Sequence, residues 1–414
     1  MAREAKDETA PSASSPAKSA GEPRVLFFSQ RYPPAFGGGS LYLKRIREGI
    51  ERAGFESAVL AGDRGIAGGS GPGIYRLPCS RTQGAFQRLQ FYLFALMAGP
   101  ALVALRRRYD LIHTMGAGHF VYVGILIGKL LGKPIIVSSV QNRQDDPSGI
   151  MQDRLGTLKN AVFRRADRWV CCSGLQVETY RQAGYPRDRI IFIPSAVDVT
   201  RFSPCEDPGQ RSGLRRSLGL PSSGPLFVSI GMIDARKGVD LLAEAWGRFR
   251  SRSERGTLVL VGPDRSGDAG CTLDQGFVDA VRETLRTAGV ADSVIFTGQV
   301  DNVQDYLRAA DAFVLMSRGE GFPNALLEAM ATRLPFVIWD LPDYAGYDLQ
   351  DGAHGFLVPR FDTAVLAERL ARLAASDETR VTMGSRGGAL AARFTVARAV
   401  ADHIKLYRDV AARR

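Results

Sequence analysis

Apolar residues come along this chain in short runs, separated by stretches with helical spacing. The first run, Arg24-Val-Leu-Phe-Phe-Ser, has the character of a buried parallel strand. A loop from Gln30 to Ser40 follows. Leu41 to Ala53 then places Leu41, Leu43, Ile46 and Ile50 near one face of a helix. Ser57 to Leu60 is the next strand. Strand, loop, helix, strand is the unit of a doubly wound α/β domain. The same rhythm predicts strands at Leu111–His113, Pro134–Ser139, Trp169–Cys172 and Ile190–Ile193. Helices are predicted at Val121–Leu131, Arg154–Ala166 and Gly174–Ala183. Pro204 to Gly224, with seven Gly or Pro residues, reads as a crossover between domains.

A second series starts at Leu226–Ile230. Its further strands fall at Thr257–Val261, Val294–Thr297, Ala312–Met316 and Phe336–Ile338. Its helices fall at Val239–Arg250, Phe277–Ala288, Val303–Ala309, Ala325–Ala331 and Thr363–Ala374. Thr395 to Val410 closes the chain with Val396, Val400, Ile404 and Tyr407 at helical spacing. The expected architecture is α/β, with two doubly wound Rossmann-like domains at 24–200 and 201–394. Residues 1–23 are rich in Ala, Ser, Pro, Lys and Glu, and read as a disordered tail. Ligands of doubly wound sheets bind beyond the carboxyl ends of the strands, so the loops there are where chemistry is expected.

Composition narrows the picture. The 414 residues suit two domains, and 45% hydrophobic with 23% charged residues excludes wholesale disorder. Phe91 to Leu105, the best candidate for a membrane span, has 15 residues without a charge and a Gly99-Pro100 break. A spanning helix needs about 20, so no membrane span is expected. Five cysteines without a CxxC pair argue against a zinc site or a disulfide framework. With no apolar leader at the start, a reduced, cytoplasmic compartment is expected.

The richest segment is Ser317-Arg-Gly-Glu-Gly-Phe-Pro-Asn-Ala-Leu-Leu-Glu328. It follows an apolar strand and opens a helix, with Asn324 as the expected N-cap beside Pro323. Free N–H groups and the helix dipole make such a start an anion site suited to phosphate. Glu328, one turn in, can reach a ribose diol, and Glu320 projects from the loop tip toward a more distant hydroxyl. The plainer alternative for Glu328 is an ordinary helix-start acid. Gly231-Met-Ile-Asp-Ala-Arg-Lys-Gly238 follows another strand. Its Arg236 and Lys237 could stabilise a departing diphosphate in place of a metal. The alternative there is a solvated basic pair. Tyr32-Pro-Pro-Ala-Phe-Gly-Gly-Gly39 allows close backbone approach at Gly37, Gly38 and Gly39, or is a plain tight turn. It lacks GxGxxG spacing, and Asp63 comes too late to hold a ribose, which disfavours a dinucleotide site. His113 follows its strand and could border the cleft; His119 and His354 read as structural.

These segments resemble the retaining glycosyltransferases of the GT-B fold, family 4 (glycosyl transferases group 1). The similarity runs from about Val25 to Val410. It rests on "EGFPNALLEAMA", which carries the E-x7-E element Glu320–Glu328, on "ARKGVDLL" and "YPPAFGGG", and on "ADRWVCCSGLQVETYRQAGYP" and "IPSAVDVTRFSP". "LYRDV" resembles the family's last helix, which crosses back to the first domain. The resemblance implies two domains facing across a cleft and a nucleoside diphosphate sugar, UDP- or GDP-linked, as co-substrate, with no other cofactor. It places Lys237 on the diphosphate, Glu328 on the ribose and Glu320 at the sugar. Gly321, Phe322, Pro323, Asn324 and Ala325 would give backbone contacts to the donor, with Gly231 nearby. Gly37–Gly39, His113 and Gln141 would lie toward the acceptor or phosphate. Three positions depart from the family: Met232 replaces an Arg, Ser139-Val-Gln-Asn142 holds no His, and Ser195-Ala196 replaces Asn-Gly.

The net charge of +11 is unevenly placed. Residues 24–195 hold 24 Lys+Arg against 11 Asp+Glu, whereas 196–414 hold 27 against 28. The basic half also carries Phe91–Leu105, flanked by Arg81, Arg88 and Arg106-Arg107-Arg108. That combination suits an anionic membrane surface, or else a buried helix with a solvated end. The expectation is a metal-free hexosyltransferase acting on a glycan or lipid-linked acceptor, peripheral on the membrane's inner face. A silent nucleotide-sugar-binding module and a sugar-nucleotide epimerase remain open. Nucleic acid is disfavoured, because no aromatics interleave a basic stripe.

Overall fold

The computed structural model describes residues 21–33, 37–62, 71–77, 85–116, 118–252, 255–265, 273–321 and 323–413, with side chains of its second helix from residue 92 on. Most of the expected tail therefore lies outside the described residues, as do Asp63, Arg81, Phe322 and the Arg88 side chain.

In the first half the order is β1 (Val25–Ser29), α1 (Gly38–Arg52), β2 (Ser57–Ala61), β3 (Ile74–Arg76), α2 (Ala85–Ala104), β4 (Leu111–Met115) and α3 (His119–Leu130). Then come β5 (Ile135–Ser139), α4 (Pro147–Met151), α5 (Gly156–Phe163), β6 (Arg168–Cys171), α6 (Gly174–Gln182) and β7 (Ile190–Phe192). These seven strands form one parallel sheet ordered β3-β2-β1-β4-β5-β6-β7.

After α7 (Pro208–Ser217) the second half runs β8 (Leu226–Ile230), α8 (Val239–Arg250), β9 (Thr257–Val261), α9 (Gln275–Thr287), β10 (Val294–Phe296), α10 (Val303–Ala309) and β11 (Ala312–Leu315). It ends α11 (Asn324–Ala331), β12 (Phe336–Trp339), β13 (Gly355–Val358), α12 (Thr363–Ala375), α13 (Asp377–Ala391) and α14 (Val396–Ala411). Its six parallel strands are ordered β10-β9-β8-β11-β12-β13. In both sheets the order reverses beside the first strand, which opens a crevice at the carboxyl ends. The central strands are buried along their length, as the unbroken apolar runs require.

Several elements differ from the sequence reading. The Pro204–Gly224 crossover contains α7, started by Pro208 and capped by the Asp207 carboxylate, which accepts from Gln210 N–H. The helix expected over Arg154–Ala166 is α5, shorter at both ends, and α4 precedes it where no helix was expected. The Asp146 carboxylate caps α4 by accepting from Ser148 and Gly149 N–H. β3, β13 and α13 were not anticipated.

The last helix does cross back. α14 packs against α1, where a Cβ on Gly49 would lie 2.3 Å from Val400 Cγ2. Val197 N–H donates to Phe394 O and Val396 N–H to Val197 O, tying the return to the start of the crossover.

Here the structure corrects His113. It is 1% exposed in mid-β4, with Nδ1 2.8 Å from Tyr407 Oη and Nε2 2.7 Å from Ser138 Oγ. It ties α14 to the sheet and does not border the cleft. His403 packs beside it at 5.5 Å between ring centroids, its Nδ1 2.8 Å from Ala399 O. Burial holds both imidazoles neutral, pushing His403 down to about 4; His403 further lowers His113. A folded value below the unfolded one, about 6.5, gives stability that is present above that value and lost as pH falls toward the folded value. We expect His403 to cost on the order of 2 kcal/mol by pH 5, with His113 adding in the same direction. The thermal midpoint should therefore drop between pH 7.5 and 5, and drop less in His403→Gln. An equal drop in both proteins would remove His403 from the explanation.

Candidate functional site

The buried cation of the second half is built by a tight turn. β8 ends at Ile230, and the Asp234 carboxylate accepts from Lys237 N–H at 2.8 Å, fixing a single 3-10 turn over Ala235–Lys237. Gly238 follows at φ 65, where a Cβ would stand 1.9 Å from Met316 O. Only glycine fits there, and the turn therefore lies tight against the end of β11. Gly231 leaves room for the lysine stem, since a Cβ on it would come 3.2 Å from Lys237 Cε. Lys237 is thereby aimed inward, its Nζ 2.7 Å from Glu320 Oε1. The two side chains are 15% and 5% exposed.

Glu320 was expected to project from a loop tip; it is buried instead. Burial alone would raise its pKa, but the charges of Lys237 and Arg236 outweigh that and hold it below the usual carboxylate range. Arg236 itself is exposed. Glu328 behaves oppositely: burial raises its pKa, and Arg45 only partly offsets this. Two carboxylates eight residues apart are thus pushed in opposite directions. Such a pair is a mark of a functional cleft.

The helix start also differs in detail. Pro323 holds the cap position of α11, and Asn324 is its first residue with no capping role. The Asn324 side chain spans the halves instead. Its Oδ1 accepts from Ser195 Oγ, and its Nδ2 donates to Gly38 O at 3.3 Å. The first N–H groups of α11, including that of Ala325, have no partner within the helix, an end suited to an anion.

The glycine loop meets this helix directly. A Cβ on Gly38 would fall 2.8 Å from Asn324 Nδ2; Gly37 has φ 154, and Gly39 makes ordinary contact with Val140. Gln141 is exposed, but its backbone pairs with Gly321 in an antiparallel bridge. Gly321 has no room for a side chain, since a Cβ would lie 1.7 Å from Val140 O.

Three residues of this cleft were not singled out from sequence. Arg45 of α1 donates to Glu328 Oε1 at 3.2 Å. Asn142 Nδ2 lies 2.8 Å from both Glu320 O and Asp343 Oδ1, and its own Oδ1 accepts from Ser173 Oγ at 3.0 Å. Asp343 Oδ1 also accepts from Glu320 N–H at 3.1 Å. Arg45 lies seven positions after Gly38, on the same helix face, a spacing that could have flagged it. Asn142 stands in the segment where the expected His is missing. Asp343 carried no signal. Among the described residues no cluster of His, Cys, Asp and Glu has the arrangement of a metal site.

The structure therefore joins Lys237, Arg236, Glu320, Gly321, Pro323, Asn324, Ala325, Glu328, Gly231, Gly37–Gly39 and Gln141 around one cleft, and leaves His113 out. Residues 224–376 match the family described as glycosyl transferases group 1, and 36–201 match glycosyltransferase family 4. D-inositol 3-phosphate glycosyltransferase 2 of Catenulispora acidiphila is 30% identical over 306 residues, 69% of this chain and 67% of that protein. D-inositol 3-phosphate glycosyltransferase of Nocardia farcinica is 30% identical over 256 residues, 59% of this chain and 53%, about half, of that protein's length. The structure of Anabaena HepE in complex with UDP and glucose superposes with a TM-score of 0.73 at 19% identity, covering 94% of this chain and 100% of that one. The chain belongs to glycosyltransferase family 4 and has the GT-B fold.

Proposed function

We propose that the protein transfers a hexose from a UDP- or GDP-linked sugar to an alcohol acceptor with retention of anomeric configuration. One observation carries this reading: the buried Lys237–Glu320 pair stands beside the free end of α11, one turn from Glu328. The N–H groups and Lys237 suit the diphosphate, Glu328 a ribose diol and Glu320 the sugar hydroxyls. The Anabaena neighbour, solved with UDP and glucose, supports a nucleotide-sugar donor. Glu320 is held by Lys237, which suits a positioning residue better than a nucleophile. In a front-face transfer the bond from C1 to the leaving diphosphate breaks, the acceptor oxygen bonds to C1 on the same face, and the acceptor proton passes to the departing phosphate oxygen. Lys237, helped by Arg236, would stabilise the charge that develops. Nucleoside diphosphate release from UDP-, GDP- and ADP-sugars, with and without acceptors, tests this. Acceptor-dependent release is expected. Donor binding without turnover under any acceptor would favour a silent module, and product without acceptor an epimerase.

For the acceptor we propose a lipid-linked or growing glycan chain, met at an anionic membrane surface by the first half. No helix among the described residues is long and apolar enough to cross a membrane. Yet α2 and α3 pack side by side and expose Tyr92, Leu93, Leu96, Leu126 and Leu130; Leu96 is 72% and Leu130 78% exposed. Exposed Arg106, Arg107, Arg108 and Lys129 flank them. Apolar residues amid basic ones suit an interfacial surface. We expect the protein to bind phosphatidylglycerol liposomes at low salt. Leu96→Glu with Leu130→Glu should weaken that binding at least about tenfold, since burying one leucine contributes about 1.5–3 kcal/mol. Failure of the unaltered protein to bind would end this part of the reading.

A further inference from the structure

At Met232 the chain lacks the arginine that the family resemblance leads one to expect on the donor phosphates. Lys237 is already paired with Glu320, so its charge is partly spent before a donor arrives. Arg236 is exposed. A nucleoside diphosphate would bring two to three negative charges into a cleft whose inward cation is half neutralised.

Arg45 is the guanidinium that directly contacts a carboxylate of this cleft from α1, with the charge of Arg201 also felt at Glu328. Arg45 comes from the opposite half, and its partner is Glu328, with side chains 18% and 13% exposed. Glu328 is the carboxylate to which the proposed function gives the ribose diol. Arg45 Nη2 lies 3.2 Å from Glu328 Oε1, so it stands on an oxygen the ribose would need. Both helices place their starts together as well. Asn324 Nδ2 donates to Gly38 O, four residues before Glu328 on α11 and seven before Arg45 on α1. The faces that carry the pair therefore run out from the point where the glycine loop meets the start of α11. A donor seated there would put its phosphates near that point and its ribose near Glu328.

We propose that Arg45 is the second phosphate-binding cation, parked on Glu328 in the empty cleft and exchanged onto the donor diphosphate when the ribose takes Glu328. The step is an exchange of ion pairs, with no bond made or broken. It replaces a carboxylate by a doubly bridging phosphate group, for which the planar guanidinium is well matched. Because Arg45 belongs to the first half and the rest of the donor site to the second, the diphosphate would also link the halves.

This inference rests on the donor reading above, and calorimetry with the nucleoside diphosphate and the corresponding nucleoside separates the two. For Arg45→Gln we expect the diphosphate to bind at least about tenfold more weakly, by loss of a charge-assisted contact. The nucleoside should bind as well as before or better, because Glu328 is freed. Arg45→Lys should fall between. Arg45→Met, which keeps the apolar stem, serves in place of Gln if that variant does not fold. Diphosphate affinity within twofold of the unaltered protein, or equal losses for both ligands, would overturn the inference alone. An unaltered protein that binds none of UDP, GDP and ADP would overturn the donor reading, and this inference with it.

Discussion

Lys237→Ala is expected to cut turnover at least about tenfold at saturating donor, with the fold intact. The Nζ–Oε1 contact of 2.7 Å is a charge-assisted hydrogen bond between two largely buried groups. Such a bond contributes about 1.5–3 kcal/mol, which converts to about 10- to 150-fold in rate when it serves the transition state. A second effect acts in the same direction. Glu320 stays ionised because Lys237 and Arg236 outweigh its burial. With Lys237 gone, burial dominates, and Glu320 takes up a proton at a higher pH. It then offers the sugar one acceptor fewer. Glu320→Ala should show a loss of similar size. The double variant should lose less than the product of the two, because each single change leaves the other charge stranded. Steady-state kinetics with circular dichroism checks this. Normal turnover in a folded single variant would remove both residues from the proposed roles.

Gly321→Ala is expected to lower kcat/KM at least about tenfold while shifting the thermal midpoint by only a few degrees. A Cβ at this position would sit 1.7 Å from Val140 O and 2.9 Å from Gln141 Cα. Both are backbone atoms of the other half, so a side-chain rotation cannot relieve the clash. The halves must separate locally, which costs about 1–3 kcal/mol, as overpacking does elsewhere. Separation breaks the Gln141–Gly321 bridge and pulls Asn142 from Glu320 O and Asp343. The cores of both halves are untouched, so stability should hold while catalysis falls. Unchanged kinetics would show that this contact does not matter to the reaction.

The fold was legible where burial on both faces leaves an unbroken apolar run, as in β1, β5, β8 and β11. It was hidden where a local exception carries the structure. α7 looked like a linker because Pro208 and Gly209 open it, yet Leu214 and Leu218 pack on the second core. β13 begins at Gly355, which reads as a breaker. It is glycine because a Cβ would fall 2.3 Å from Phe336 O in the neighbouring strand. β3 is a three-residue edge strand, half-buried along its length.

The site was legible on one side only. Lys237 and Glu320 each follow a strand within a recognisable loop and Glu328 lies one turn into the helix after it, so position relative to the sheet exposed them. Arg45 meets Glu328 across 283 residues, and Asn142 meets Glu320 and Asp343 across 178 and 201; only the spacing of Arg45 from Gly38 gave a local sign of any of these contacts. His113 misled because a residue at the end of a short predicted strand looked as though it could face the cleft. β4 in fact continues through Met115, which leaves His113 in the middle of the sheet.

The most direct measurement is proton NMR of the reaction mixture with a turned-over donor and an alcohol acceptor. Nucleoside diphosphate should appear together with a new glycoside of the donor's anomeric configuration, and both signals should fall at least about tenfold in Lys237→Ala. An inverted glycoside, or a sugar product formed without acceptor, would contradict retaining transfer at this cleft.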